Sequence, residues 1–498
     1  MSSSNDVYNR PVRLSRRSSQ GVFLGLDGWA FTTIAAALAI AVISTTRYGF
    51  VGFFASAIIW APMGIASFIP IQGMPASKLA ALWISKQVRH ATGGTKTRFR
   101  PERPRVAATL NLPGKLANVQ LWDSDDFTSA YNPGDRTVSI TAELDVDGFL
   151  MMDNADRYDL SQQLASVLTS FTQRAGIKRV SMQERTMPTT IRPARQHFED
   201  TLARRGTDGT TAVAQNYRDV MDNAERFAVS HRNYLTLTLD LVALQSQLKS
   251  LGGGKHAIQT LAKLEAGNVG AALAAANINV RRWLDSRQWA AMARTALDIA
   301  SVPMIQDRSD EQAGVSVDAI GPMAFDEPQG NNGVVLAEGA WHSTMWIHEW
   351  PRSMAQVGFI EPIVFARDPA TDDAISHIFT LVLTPVSVKA ALKRIRTEKK
   401  VWRGNQRLKA KRNDSDSAED RADWQALDDQ EESIVQGHGE YRYGGYLTVS
   451  APTEERLASG IAGIRNAMSR VGMEGQILYC QQAEALFINA MPLGTGLK

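Results

Sequence analysis

Two long apolar stretches near the N-terminus set the first part of the chain apart from the rest. Residues 28–46 (GWAFTTIAAALAIAVISTT) carry no charge, residues 48–77 carry none either, and Arg47 stands alone between them. A helix needs about 20 mostly apolar residues to cross a hydrocarbon core of roughly 30 Å, so each stretch is long enough. A soluble helix shows a polar face at a 3.6-residue period. These runs offer little beyond Ser, Thr, Gly and Gln72. The pattern predicts a transmembrane α-hairpin of two helices over 28–77, with residues 45–49 as its turn. Pro62, Gly64, Pro70, Gly73 and Pro75 predict a second helix that is kinked or only partly inserted. A cleaved signal peptide would match the basic start and the first run, but the second run follows too soon to leave a mature domain between them.

After a basic linker over 78–105, shorter periods take over and alternate. Residues 137–146 (TVSITAELDV) show the β-branched alternation of a half-buried strand. Residues 159–176 have helical spacing, with Asp159 as N-cap and Gly176 as stop. Strand 177–186, helix 210–229, strand 234–241 and an Ala-rich, mostly helical stretch over 246–294 complete a first α/β subdomain at 106–320. A second, at 334–498, follows a Gly/Pro/Asn-rich loop. It reads as strand 340–350, a helix-like stretch to 365, strand 377–386, a charged insertion at 389–435, strand 446–450, helix 454–471 and strand 476–480. The fold class expected is α+β, with α/β alternation and ferredoxin-like βαβ units, behind the membrane hairpin.

Composition changes this picture only locally. The chain has 498 residues, 44% of them hydrophobic, and a net charge of +3, so it is no polycation. Cys480 is the single cysteine, which excludes an internal disulfide and a cysteine-based zinc cluster and predicts a buried thiol. Charge does orient the hairpin. Arg13, Arg16 and Arg17 precede it and Lys78 opens the basic linker, so the positive-inside rule places both termini in the cytoplasm and Arg47 outside. Trp29, Tyr48 and Trp83 occupy positions suited to interfacial aromatics. The location expected is the cytoplasmic membrane, crossed more than once.

Residues 389–412 are strongly basic and 414–432 strongly acidic. They predict an αα-hairpin whose arms pair, turning near 413–417. The alternative is a basic patch at Lys393, Arg394, Arg396, Lys399 and Lys400 that meets DNA or lipid headgroups.

Catalytic signatures are missing from the sequence. The phosphate-loop pattern Gly-x-x-x-x-Gly-Lys-Ser/Thr fails in SLGGGKHA, where His256 follows Lys255, and in ATGGTKTR, where Lys96 follows Thr95. His342 and His348 share a strand face, but Glu349 would point to the opposite one, so no metal set is expected. There is no Gly-x-Ser-x-Gly elbow. No enzyme, cofactor or metal is expected.

RRSSQGVFLGLDGW (16–29) with the apolar hairpin resembles the small third VirB component of bacterial type IV secretion systems. WHSTMWIHEWPRSM (341–354), GGYLTVSAPTEERLASGIAGIRNAM (444–468) and EALFINAMPLG (484–494) resemble the N-terminal domain of the fourth VirB component, the conjugation ATPase. The resemblance covers most of the chain, and fusions of the two components occur in that family. In such ATPases the Pro-Leu-Gly segment leads into the motor domain, so the resemblance implies a split version of Gram-positive, actinobacterial type with the P-loop motor on another polypeptide. It implies a ring-forming homo-oligomeric scaffold that meets that motor at Pro492, Leu493 and Gly494, other membrane subunits of the machine, and lipid, with nucleic acid only indirectly. The alternative from another class is a membrane-bound enzyme with an active site in the α/β domain.

Overall fold

A computed structural model describes residues 28–495 apart from 72–73, 99–108, 111, 113–115, 146–150, 207–208, 226–227, 307, 309–313, 352–356 and 412–417. Arg13, Arg16, Arg17 and the expected turn at 413–417 lie outside the described residues.

Helix α1 (Gly28–Phe68) is interrupted at Gly49, whose φ of 61° and ψ of −153° belong to no helix. A glycine meets this positive φ without a Cβ clash. The chain folds back there: Thr33 Oγ1 and Ser67 Oγ lie 2.6 Å apart, whereas an unbroken helix would separate them by ~51 Å. Each arm is therefore roughly 20 residues, or ~30 Å, long. Helix α2 (Ala76–Ala91) follows and packs back on α1.

Beyond it lies a 13-stranded sheet in which every recorded pairing is antiparallel. Its strands are β1 (Lys96–Arg98), β2 (Gln120–Asp123), β3 (Thr128–Asn132), β4 (Thr137–Asp145), β5 (Ile177–Pro188), β6 (Val229–Asp240), β7 (Asn279–Trp283), β8 (Ala324–Asp326), β9 (Val335–Ala337), β10 (Ala340–Glu349), β11 (His377–Val386), β12 (Glu440–Ala451) and β13 (Glu474–Ile477). Apart from a short helix at Gln245–Ser250, the helices beyond α2 are α3 (Asn154–Thr172), α4 (Arg192–Arg204), α5 (Ala212–Glu225), α6 (Gly254–Ala275), α7 (Ser286–Leu297), α8 (Val302–Gln306), α9 (Glu361–Val364), α10 (Val388–Lys411), α11 (Ala418–Val435), α12 (Glu454–Arg470) and α13 (Gln482–Ala490).

The topology repeats. In the first unit, β4-α3-β5, the helical pair α4/α5, then β6-α6-β7 give the spatial order β7-β4-β6-β5. In the second, β10-α9-β11, the helical pair α10/α11, then β12-α12-β13 give β13-β10-β12-β11. Both are ferredoxin-like βαββαβ arrangements with a split βαβ crossover and a helical hairpin inserted between the second and third strands. The two units join through equivalent strands, β5 with β11, in the register Gln183↔Thr380. The α+β class is as expected from the sequence.

Side-chain alternation fixes what each face of the sheet meets. In β4, Val138, Ile140 and Leu144 join Val180, Leu235, Leu237 and Leu239 under α3 and α6. Side chains of this size each contribute about 1.5–3 kcal/mol when fully buried. The other face carries hydroxyls that pair across strands: Ser139 with Thr238 at 3.1 Å, Thr141 with Thr236 at 3.0 Å and Thr344 with Thr448 at 2.8 Å. Helix α13 closes it, with Asn489 Nδ2 donating to Ile378 O and Thr448 Oγ1 while Asn489 O accepts from Thr380 Oγ1. Strand β4 is thus buried on both faces along most of its length, not half-buried.

Other elements differ from the expected ones. Helix α3 starts at Asn154, five positions before the expected Asp159, because Asp153 caps it by accepting from Asp156 N at 2.9 Å. The stretch read as mostly helical over 246–294 contains β7, and among its described residues the segment to 365 is helical only in α9.

Candidate functional site

Three places carry chemistry. The first is the hairpin and its mount. Phe50, Val51, Phe54 and Ile58 of α1 are each 70% exposed or more, so the helix shows solvent the surface that a core helix would hide. Among the described residues it is the one helix long and apolar enough to cross a membrane, with a mean hydropathy of 1.7 over its best window. Trp29, Tyr48 and Trp83 are exposed, as is Arg47 beside the turn, and Lys78 is half-buried.

Helix α2 fastens this hairpin to the second unit. Lys86 Nζ donates to Pro328 O at 2.7 Å and Asn332 Oδ1 at 2.9 Å. Arg89 pairs with both oxygens of Glu327, at 3.1 and 3.2 Å, and donates to Cys480 O. Burial lowers the Lys86 ammonium and raises the Glu327 carboxyl, each against the pull of the opposite charge. Cys480 is the buried free thiol expected.

The second place lies at one end of the hydroxyl-bearing sheet face, where α13 no longer covers it. A cavity of about 220 Å³ opens there between the strands and α7/α8. Register builds its floor: Glu143 of β4 stands opposite Tyr234 of β6, and Arg185 of β5 opposite Arg232. A bulge in the β4–β7 pairing lets consecutive Arg281 and Arg282 both reach Glu143. Glu143 Oε2 lies 3.2 Å from Arg282 Nε, and its Oε1 lies 3.6 Å from Arg232 Nη1 and 3.8 Å from Arg281 Nη1. Arg185 is buried; it donates to Met292 O at 2.8 Å and Thr295 Oγ1 at 3.3 Å, and its Nε has no acceptor among the described residues. Burial pushes this guanidinium down to about 10 and raises the Tyr234 phenol. Arg308 completes the lining, donating to Gly314 O. Sequence reasoning missed this site because its arginines come from four separate segments with no motif spacing. The one local signal is Arg232 and Tyr234 falling in phase with Thr236 and Thr238.

The third place is the set of histidines. His342 is a core residue: Nε2–H donates to Leu297 O and Nδ1 accepts from Ser450 Oγ. Burial holds its pKa down to about 4. His348 differs from expectation. Glu349 does not lie away from it, because the β10–β13 register shifts between Ile347 and Glu349, and His348, Glu349 and Glu474 bring ligand atoms within 4.8 Å of one another on an open edge. At the seam, Glu184 Oε1 meets His231 Nδ1 at 3.1 Å and its Oε2 lies 3.8 Å from buried His377 Nε2.

Two of the five residues of the alternative basic patch, Arg394 and Lys399, are engaged in ion pairs. Lys399 pairs with Asp428 and Glu431 of α11, Arg394 pairs with Glu440, and Trp402 packs on Trp424 with ring centroids 4.3 Å apart. Lys393, Arg396 and Lys400 remain on the surface. The arms pair as the opposite charges predict.

Pro492, Leu493 and Gly494 are buried, in contrast to an open docking point. Ser139 Oγ donates to Leu493 O at 3.0 Å, and Arg179 Nη1 and Thr238 Oγ1 donate to Gly494 O at 3.0 and 3.2 Å. A partner could reach them only by displacing this segment from the first unit.

No protein-family model matches the chain, and no curated protein matches it.

Proposed function

We propose that this chain is a membrane-anchored scaffold subunit of a type IV secretion or conjugative DNA-transfer machine. It holds a separately encoded motor ATPase of the fourth VirB type at the inner face of the cytoplasmic membrane. The observation that carries the reading is the exposed apolar hairpin clasped by Lys86 and Arg89 to the second ferredoxin-like unit. Of the three segments likened to the fourth VirB component, two fall in that same unit, as β10 and β12–α12, and the third, α13, packs on its sheet. Both arms of α1 cross the bilayer in this proposal, with Arg47 outside and the sheet in the cytoplasm.

Cys480 is the only native cysteine and is buried, so Arg47→Cys offers a clean topology probe. An impermeant thiol reagent should label it in intact cells; labelling only after lysis would refute the crossing. The purified chain should bring down a P-loop ATPase from solubilised membranes and hydrolyse no ATP itself. The membrane-bound enzyme reading would act at the arginine-lined cavity. Turnover by the purified chain that is lost in cavity variants would favour it over the scaffold.

A further inference from the structure

The arginine-lined cavity has a composition that a structural ion-pair network does not require. Its described lining holds five arginines, at positions 185, 232, 281, 282 and 308, against the single carboxylate of Glu143, a formal excess of four positive charges. Of these five, Arg185 is buried and the other four are exposed and hydrated, so what an anionic ligand would relieve is the mutual repulsion of like charges gathered around one cavity. Here one carboxylate is shared by three guanidinium groups at 3.2–3.8 Å, distances at which only the Arg282 contact is close. Arg185 has no acceptor for its buried Nε among the described residues. Tyr234, Gln288, Gln306 and Thr295 add neutral hydrogen-bonding groups to the wall.

We propose that this cavity is a binding site for a phosphoryl or diphosphate group, free or carried on a small molecule. Guanidinium forks match the oxygens of such a group bidentately, and a group bearing two or more negative charges offsets an excess that one carboxylate cannot. The volume of about 220 Å³ falls below the roughly 300–1,000 Å³ of pockets that enclose a whole drug-sized ligand. It suits the anionic group itself, with any organic remainder extending outside. Glu143 acts as the resident counter-ion, holding Arg232, Arg281 and Arg282 together and giving them up to the ligand. Among the described lining residues no hydroxyl stands in hydrogen-bond contact with a general base, and the proposal is for binding alone. This inference is independent of the scaffold reading, since it concerns the first unit and a soluble ligand.

The experiment uses the full chain in detergent, titrated with inorganic phosphate, inorganic pyrophosphate and ATP by calorimetry at constant ionic strength, with chloride as the control. Pyrophosphate should bind saturably and more tightly than phosphate. An ATP affinity equal to that of pyrophosphate assigns the carried form as well as the free one, whereas a weaker one restricts the site to free anions. Arg281 and Arg282 are partly exposed, so the double variant Arg281→Gln/Arg282→Gln should fold normally and lose affinity at least tenfold. Glu143→Gln should raise affinity several-fold, because it removes the competing carboxylate; a merely structural cluster predicts no such gain. Unsaturable binding indistinguishable from chloride, or unchanged pyrophosphate affinity in the arginine double variant, would overturn the proposal.

Discussion

Gly494→Ala tests whether the segment after α13 is a structural tie or a free docking point. Gly494 has a φ of 58°, and a Cβ built there would sit 1.8 Å from Thr238 Oγ1 and 3.1 Å from Ser139 Oγ. The left-handed backbone costs a residue with a Cβ about 1–2 kcal/mol, and forcing an extra carbon into packed surroundings about 1–3 kcal/mol more. The expected loss is therefore ~2–5 kcal/mol, a large part of a typical stability of about 5–15 kcal/mol. Thr238 cannot turn away without giving up the bond that its hydroxyl donates to Gly494 O. Thr238→Ala removes the clashing oxygen but leaves the backbone strain. In a double-mutant cycle it should return about 1–3 kcal/mol of the Gly494→Ala loss. Denaturant unfolding of the detergent-solubilised chain, followed by tryptophan fluorescence, measures both terms. A Gly494→Ala chain within about 0.5 kcal/mol of the wild type, a change typical of an unconstrained surface, would refute the buried tie and return Pro492, Leu493 and Gly494 to the surface as a docking point.

Three further outcomes follow from the same geometry. His342 is held neutral in the folded chain with a pKa of about 4, so between that value and its ordinary 6.5 the unfolded chain binds more protons. Its contribution is fully present above pH 6.5 and falls by ~3 kcal/mol as pH drops to about 4; a His342→Asn chain should show a flatter stability profile there, measured by denaturant unfolding at each pH. Lys399→Met should cost ~1 kcal/mol, since Asp428 and Glu431 lose a charged donor but stay hydrated, and limited proteolysis should then cut first within 388–435 with the sheet intact. Lys86→Met leaves Asn332 Oδ1 and Pro328 O without their donor; hydrogen exchange should quicken in 327–332 and in α2 before it changes in β4–β6.

The long periods were legible and the closures were not. The hairpin could be read because lack of charge over two spans is a property of contiguous sequence, and strands 137–146 and 377–386 because one face of each alternates cleanly. The αα-hairpin could be read because its opposite charges lie side by side. The second face of 137–146, expected to stay open in a half-buried strand, is covered instead: a Thr in such an alternation looks the same whether its partner is water or, as for Thr141, Thr236 on another strand. The duplication was invisible because what repeats is strand order, while α9 stands where α3 stands in the first unit and is far shorter. The cavity was invisible because a register bulge and two strand pairings, not spacing, gather its arginines.

That same polar face explains why a sealed tie and an open anion cavity coexist on one sheet. A surface of Ser and Thr gains little by hydrophobic burial, so its cover must be held by hydrogen bonds, and α13 with the segment after it supplies them at Thr448, Thr380, Ser139 and Thr238. Along β6 that face continues through Thr236 and Tyr234 to Arg232, where the cover ends and the arginines begin. Six residues of extended chain separate Thr238 from Arg232, about 20 Å, beyond direct contact between the tie and a bound anion. A well-paired antiparallel sheet at this spacing transmits little of a local clash, as mutations more than about 7–10 Å apart without shared partners usually add independently. Gly494→Ala should therefore lower stability while leaving pyrophosphate affinity unchanged in the folded fraction. A matching drop in affinity would mean that the clash alters the twist of β6 along its length, and that the tail and the cavity act as one unit.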